Sequence, residues 1–231
     1  MASAAPVGSA DAIDGVIERM QTIDSRLPAE DGVAEFNRMY LRVTREVGTA
    51  VKGTMFQNEE FLAHLDVVFA NLFFAAYDAD LTGAEVPHAW APLFSAREKP
   101  HTRAIQFALA GMNAHINHDL GLAVVQCCQQ MALEPHDDSP EHHDYRETNS
   151  ILDSLMPSIK SWFIDSLVHR IDNPAGQIDD AFERYSIAVL RGAAWQTGQL
   201  VWGMRDHPHL QSMFLRTLAS GVGMAGHGLL I

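Results

Sequence analysis

The stretch of sequence that decides the fold lies at residues 105–125 and reads IQFALAGMNAHINHDLGLAVV. Its two ends are apolar, whereas its middle places two amides, two imidazoles and a carboxylate within seven positions. An uncompensated polar side chain in such an apolar helix costs about 2–7 kcal/mol. We therefore expect a buried helix whose polar centre is satisfied by a hydrogen-bond network, a metal ion or a ligand.

Apolar residues recur at three- and four-residue spacing along most of the remaining chain. Proline, glycine and asparagine interrupt this pattern, as they do at helix ends. The sequence shows no convincing alternation of apolar and polar residues and no hairpin signal, which are the marks of β-structure. We therefore predict an all-α protein, a single bundle of about seven helices. The predicted helices span about residues 11–25, 30–52, 59–78, 102–132, 140–171 and 175–203, and a seventh begins after Asp206.

The predicted domain organisation is simple. Residues 1–10 are expected to be disordered, 11–220 to form one helical domain, and 221–231 to form a flexible or tightly turned glycine-rich tail. Residues 79–101 are rich in proline and are expected to form a loop with one short helical turn near Trp90. A loop of this length in a compact domain is often a pocket wall or lid.

Charge and composition argue against several classes of function. The chain carries a net charge of −13 and has no lysine or arginine cluster, so we expect neither a nucleic acid nor an anionic membrane surface as partner. It lacks the basic start of a signal peptide and any apolar run long enough to span a membrane. The two adjacent cysteines fit a reducing compartment. We predict a cytoplasmic protein, and a homo-oligomer is compatible with the sequence.

The polar centre of residues 105–125 permits three interpretations, of which the first is a metal site and the second a purely structural network. In the metal interpretation, His115 and Asp119 lie four residues apart on one helical face and bind a divalent cation. Their further ligands would be Asp66, His118 and Asp144. In the structural interpretation, the polar side chains satisfy one another and Arg191 neutralises Asp119. The members of that network would be Asn113, His115, Asn117, Asp119 and Asn149.

A third interpretation makes the same residues a pocket for a small molecule. His115 would move a proton and Asp119 would orient its ring, while Asn113 or Asn149 stabilises developing charge. Arg191 would grip an anionic group of the substrate. The predicted substrate contacts are Asn117, Phe69, Phe73, Trp90 and Trp195.

Several anchors along the chain together resemble an actinobacterial family known chiefly as a domain of unknown function. The specific part is the string Gly-Met-Asn-Ala-His-Ile-Asn-x-Asp-Leu at residues 111–120, and the resemblance covers about residues 35–205. It implies a fold and a site location, and association with natural-product pathways implies a small apolar metabolite. The candidate residues it carries are Asp66, Asn113, His115, Asn117, Asp119, Asp144, Asn149 and Arg191.

The functional prediction is a small-molecule enzyme that uses acid–base chemistry for a cyclisation, isomerisation or elimination. One alternative is a metal-dependent hydrolase or oxygenase, and another is a non-catalytic ligand-binding or interaction protein. No glycine-rich phosphate loop follows a strand, so no nucleotide or flavin cofactor is predicted. A divalent metal ion is expected only under the alternative of a metal-dependent hydrolase or oxygenase.

Overall fold

The computed structural model of the chain describes residues 9–50, 56–167 and 186–231. Across these ranges the structure contains eight helices and no strand, when α5, the π segment and α6 are counted as one continuous helix. The predicted all-α bundle is therefore confirmed, with one short extra helix. The elements are α1 (Ser9–Arg26), α2 (Gly32–Ala50), α3 (Glu59–Thr82), α4 (Ala91–Ala96), α5 (Ala104–Ala114), the π segment (His115–Asp119), α6 (Leu120–Met131), α7 (Pro140–Leu167), α8 (Ile187–Gly203) and α9 (Pro208–Leu229).

Most predicted boundaries differ from these by a few residues. The first helix begins at Ser9, so it includes the last two positions of the predicted disordered segment, and residues 1–8 lie outside the described part. The start of the helix predicted at 175 and the end of the one predicted at 171 also lie outside it.

Two helix starts follow directly from their capping residues. The side chain of Asn58 accepts a hydrogen bond from the backbone amide of Phe61, 3.0 Å away, at the start of α3. The hydroxyl of Ser139 accepts one from the amide of His142 at 3.1 Å, at the start of α7. Each cap satisfies a backbone donor that the helix itself leaves unpaired.

Helix α3 packs against several other elements of the bundle. It contacts α1, α6, α7 and the π segment, and eight of its residues are buried. Although the sequence predicted no membrane-spanning run, α3 is by length and composition alone apolar enough to cross a membrane, a test that core helices of globular bundles also pass. In this bundle its apolar side chains pack against four neighbouring elements.

Helices α6 and α8 approach each other closely through a pair of glycines. A Cβ atom on Gly121 would lie 2.9 Å from the carbonyl oxygen of Ala194, and one on Gly198 would lie 3.1 Å from the carbonyl oxygen of Gly121. The two backbones are therefore nearly in contact. This packing fixes α8 against the helix that carries the polar centre.

The predicted glycine-rich tail is wrong, because α9 continues through it to Leu229. Glycine is a poor helix former by about 1 kcal/mol, which is why the sequence favoured an irregular tail. Packing overrides this preference, since α9 lies against α4, α5 and the π segment. At Gly223 a Cβ atom would lie 2.5 Å from the carbonyl oxygen of His88, so the contact requires glycine.

Replacing Gly121 with alanine should destabilise the fold by about 1–3 kcal/mol, because the added methyl group meets backbone that cannot move aside. Gly192→Ala is the matched control, since this glycine also lies within a helix but a Cβ atom added to it would meet no other atom within 4 Å. The control should be stabilised by up to about 1 kcal/mol. Urea unfolding of both variants measures the difference. Equal stabilisation of the two would contradict the close approach.

Candidate functional site

A cavity of about 780 Å³ lies between α1, α2, α3, the π segment, α7 and α8. The sequence predicted a pocket between the four segments equivalent to α3, α5–α6, α7 and α8. The structure adds α1 and α2 to its walls. Those walls are largely apolar, with lining residues that include Phe36, Met39, Phe69, Met112, Ile116 and Leu152.

A π turn presents the polar centre of the sequence to this cavity. The amide of Leu120 donates to the carbonyl of His115 five residues earlier, so the helix widens over His115–Asp119. Turns of this kind are rare, occur mostly as single-turn insertions in α-helices, and are frequent at functional sites. Nothing in the sequence distinguished this turn from the α-helix that was predicted through it.

His115 lines the cavity and is enclosed by aromatic rings. Its ring stacks on Phe69 with centroids 3.5 Å apart and planes 5° from parallel, and the Tyr40 ring lies 4.5 Å away edge-on. Its Nδ1 makes a long hydrogen bond of 3.4 Å to Oδ2 of Asp119. Its Nε2 is buried and has no hydrogen-bond partner among the described residues. Burial lowers the pKa of His115, and Asp119 opposes this effect only in part.

Asp119 lies behind His115 and accepts hydrogen bonds from three side chains. Besides the bond from His115, Trp90 Nε1 donates to its Oδ2 at 2.9 Å, and Nδ1 of His118 lies 2.7 Å from its Oδ1. Burial alone would raise the pKa of Asp119, but the hydrogen bonds from both histidines together lower it. Asp119 is therefore an ionised acceptor, which places the proton of His115 on Nδ1 and leaves the Nε2 lone pair free.

The predicted ion pair between Arg191 and Asp119 is wrong. Arg191 donates from Nε to Oδ1 of Asn149 at 2.7 Å and from Nη2 to the carbonyl oxygen of Tyr145 at 3.0 Å. Arg191 lines the cavity, whereas Asn149 lies behind it as its hydrogen-bond partner. The hydrogen bonds of Asp119 come instead from the two histidines and Trp90, a partner far along the chain that spacing could not reveal.

Asp66 is a second carboxyl group on the cavity wall. It lies on the helical face of α3 that also carries Leu62 and Phe69, and it lines the cavity. Enclosure by protein raises the pKa of Asp66 to about 6, although Arg191 lowers it. Burial, Asp66 and Asp119 together raise the pKa of the nearby Tyr40 well above its usual range, so that phenol stays neutral.

Two of the predicted site amides serve the packing of α9. The side-chain amide of Asn113 donates to the carbonyl oxygen of Val222 at 2.8 Å, and Asn117 donates to Oδ1 of Asn113 at 3.0 Å. Asn113 is therefore directed toward α9 and Asn117 is bonded to Asn113, and neither belongs to the lining of the cavity. Their role is to satisfy backbone and side-chain groups between α5 and α9.

Three predicted aromatic contacts are also placed elsewhere. Phe73 and Trp90 are fully buried in the core, with ring centroids 5.3 Å apart, and neither lines the cavity. Trp195 lies in a separate cluster of the core, where it stacks on His142 and donates from Nε1 to Asp137. Phe69 lines the cavity as expected. Helical periodicity identified these residues as apolar but could not show which of them border a space.

The side chains of the metal interpretation do not converge. Asp144 accepts hydrogen bonds from the backbone amides of Gln57 and Asn58 at 3.0 and 2.6 Å, so it caps the start of α3. His118 is hydrogen-bonded to Asp119, and Asp66 lies on a different helix, α3. Within the described ranges, no three His, Cys, Asp or Glu side chains are grouped so that they could hold a metal ion.

Tyr40 is the cavity residue that the sequence did not single out. It occurs in the apolar stripe of α2, together with Phe36 and Met39. Its hydroxyl forms no hydrogen bond among the described residues, and its ring touches His115. A tyrosine among aliphatic core residues is a weak signal, since a buried phenol normally requires a polar partner.

The fold and the site define a class: an all-α bundle that encloses a largely apolar cavity, with a histidine in its wall and an aspartate bonded to that histidine from behind. The chain belongs to the family described as "Family of unknown function (DUF5995)", which matches residues 13–231. A search of curated proteins and a search of solved structures each found no match.

We expect His115 to remain neutral, with its proton on Nδ1, at pH values where a free histidine is half protonated. Nitrogen NMR of ¹⁵N-histidine-labelled protein measures both the tautomer and the pKa, and His115→Gln assigns the signal. A pKa below the usual 6.5 is expected, because burial dominates. A charged imidazolium at pH 6.5 would contradict this prediction.

Asp66→Asn should raise the melting temperature at pH 8 and change it little at pH 4. The raised pKa means that ionising Asp66 disfavours the folded state, and this penalty develops as pH rises from the ordinary value of 3.8 through about 6. Asp153→Asn, at an exposed position of α7, controls for a general loss of negative charge. A melting-temperature difference that is the same at both pH values would contradict the prediction.

Proposed function

We propose that this protein is a small-molecule enzyme that uses His115 as a general base inside the cavity. The observation that carries the proposal is the unpartnered Nε2 of a buried cavity-lining histidine whose Nδ1 is bonded to Asp119. A base whose other nitrogen is oriented by a carboxylate is a recurring arrangement in acid–base catalysis. A buried nitrogen with an unused lone pair is otherwise a cost to stability.

The chain's own groups support a proton transfer with no change in oxidation state. Nε2 of His115 takes a proton from the substrate, and Asp119 stabilises the imidazolium that forms. Asp66 and Tyr40 lie in the same cavity. Asp66, with a pKa raised to about 6, exchanges a proton near neutral pH, and Tyr40 keeps its proton there, so these two groups are the candidates for delivering a proton to a second site on the substrate. Removal at one atom and delivery at another is the requirement of an isomerisation, a cyclisation or an elimination.

The proposed substrate is a small and largely apolar metabolite. A volume of about 780 Å³ falls within the range of small-molecule sites, about 300–1,000 Å³, and the walls are mainly aliphatic and aromatic. The actinobacterial origin, a place in natural-product metabolism and a cytoplasmic location remain parts of this proposal. They rest on the sequence resemblance and on the acidic composition.

Two other functions are less well supported. A metal-dependent hydrolase would need a third ligand beside His115 and Asp119, and the described residues do not supply a suitable group. A non-catalytic binding protein would share the cavity, but it would have no use for an oriented base. Turnover therefore distinguishes it from the enzyme.

His115→Gln and Asp119→Asn should each lower turnover by about 10²–10⁴-fold, the usual contribution of a positioned base. The assay incubates the protein with a metabolite extract in D₂O and follows deuterium incorporation and new products by mass spectrometry. A base that removes a proton exchanges it with solvent, so exchange reports the step even where products are scarce.

His209→Gln, at an exposed position of α9, is the matched control and should keep full turnover. Circular dichroism and melting temperatures verify that each variant folds. Undiminished turnover in folded His115→Gln and Asp119→Asn would refute the proposed base.

A further inference from the structure

Arg191 places a buried positive charge in the wall of the cavity. Its side chain is only 9% exposed, and it forms no ion pair with any carboxylate of the described residues. Its contacts are neutral: the amide oxygen of Asn149, the carbonyl oxygen of Tyr145, and the Tyr145 ring, 4.2 Å from the guanidinium carbon. Desolvating a cation without a bonded anion is costly, and an anionic ligand that pairs with it offsets part of that cost.

The guanidinium is held in place before any ligand arrives. Nε and Nη2 are bonded to α7, while Nη1 has no hydrogen-bond partner in the part of the chain that the structure describes. A planar group with two of its edges fixed has little freedom left to lose on binding. The remaining donor is therefore available to an oxygen acceptor in the cavity.

Other features of the cavity restrict which anion fits. Its wall around His115 is formed by Phe36, Phe69 and Met112, so the rest of the ligand meets apolar surface. Asp66 lies close enough to Arg191 for their charges to interact, and it repels a second negative charge. One buried cation beside a carboxyl group therefore favours a monoanion over a phosphate dianion.

We propose that the cavity takes an amphipathic monocarboxylic acid, with its carboxylate on Arg191 and its apolar body packed along the walls toward His115. This assignment deepens the proposed function and rests on it for the role of His115. The binding mode itself is measured without turnover. Arg191 is thus the anchor of the ligand, and Asp66 is the like charge that limits how tightly an anion binds.

The experiment titrates the protein by calorimetry at pH 8 with straight-chain monocarboxylates of about six to fourteen carbons and with their primary amides. The acids should bind at least about tenfold more tightly than the amides. Arg191→Met should remove most of this preference, because it keeps the apolar stem and deletes the charge. Arg146→Met, an exposed arginine of α7 outside the cavity lining, is the control and should change neither affinity.

Asp66→Asn is expected to increase affinity, and a variant that merely folds badly would lose affinity instead. Removing the like charge should tighten binding of the acids by several-fold and leave the amides unchanged. Equal binding of acids and amides, absence of acid binding across the series, or weaker acid binding in Asp66→Asn would overturn the proposal. So would tighter binding of straight-chain primary amines than of the acids.

The two proposals fail separately. Acid binding that depends on Arg191, together with full turnover in His115→Gln, would retain the carboxylate site and remove the base. Turnover that requires His115, together with acid affinities unaffected by Arg191→Met, would retain the base and remove the carboxylate site.

Discussion

The buried carboxylate of Asp119 is the constraint around which the site is organised. It accepts hydrogen bonds from Trp90, which precedes α4, and from both histidines of the π segment. Three donors are needed because a desolvated carboxylate without them would be strongly destabilising. The network therefore couples the long loop after α3 to the middle of the central polar helix. It also determines which nitrogen of His115 is protonated, so the electrostatics of the core set the chemistry of the cavity.

The helices that line the cavity contribute both apolar and charged side chains to it. On α3, Phe69 shields His115 while Asp66, one turn before it, presents a charge to the same space. On α7 and α8, polar contacts hold Arg191 at another part of the lining. The arrangement combines an apolar body with a few fixed polar groups, which is the usual composition of a small-molecule site.

The sequence predicted the elements of the fold better than the contacts within the site. Periodicity and the residues that interrupt it located most helices, because these signals are local. The partner of Asp119 is Trp90 and not Arg191, and that choice depends on tertiary packing. Tyr40 was inseparable from the apolar stripe of α2. The helix through the C-terminal glycines depends on contact with distant backbone, which no local propensity encodes.

The π segment also sets how α6 is rotated relative to α5 in the continuous helix that the three segments form. One additional residue in a turn rotates everything after it by about 100° relative to an uninterrupted α-helix. The face of α6 that bears Gly121 meets α8 only with that rotation in place. Deletion of a single residue from this turn would therefore disrupt the arrangement of His115 and Asp119. It would also rotate the face of α6 that bears Gly121 away from α8. The geometry of the polar site and the packing of α6 against α8 therefore depend on the same π turn, so a change in that turn alters both.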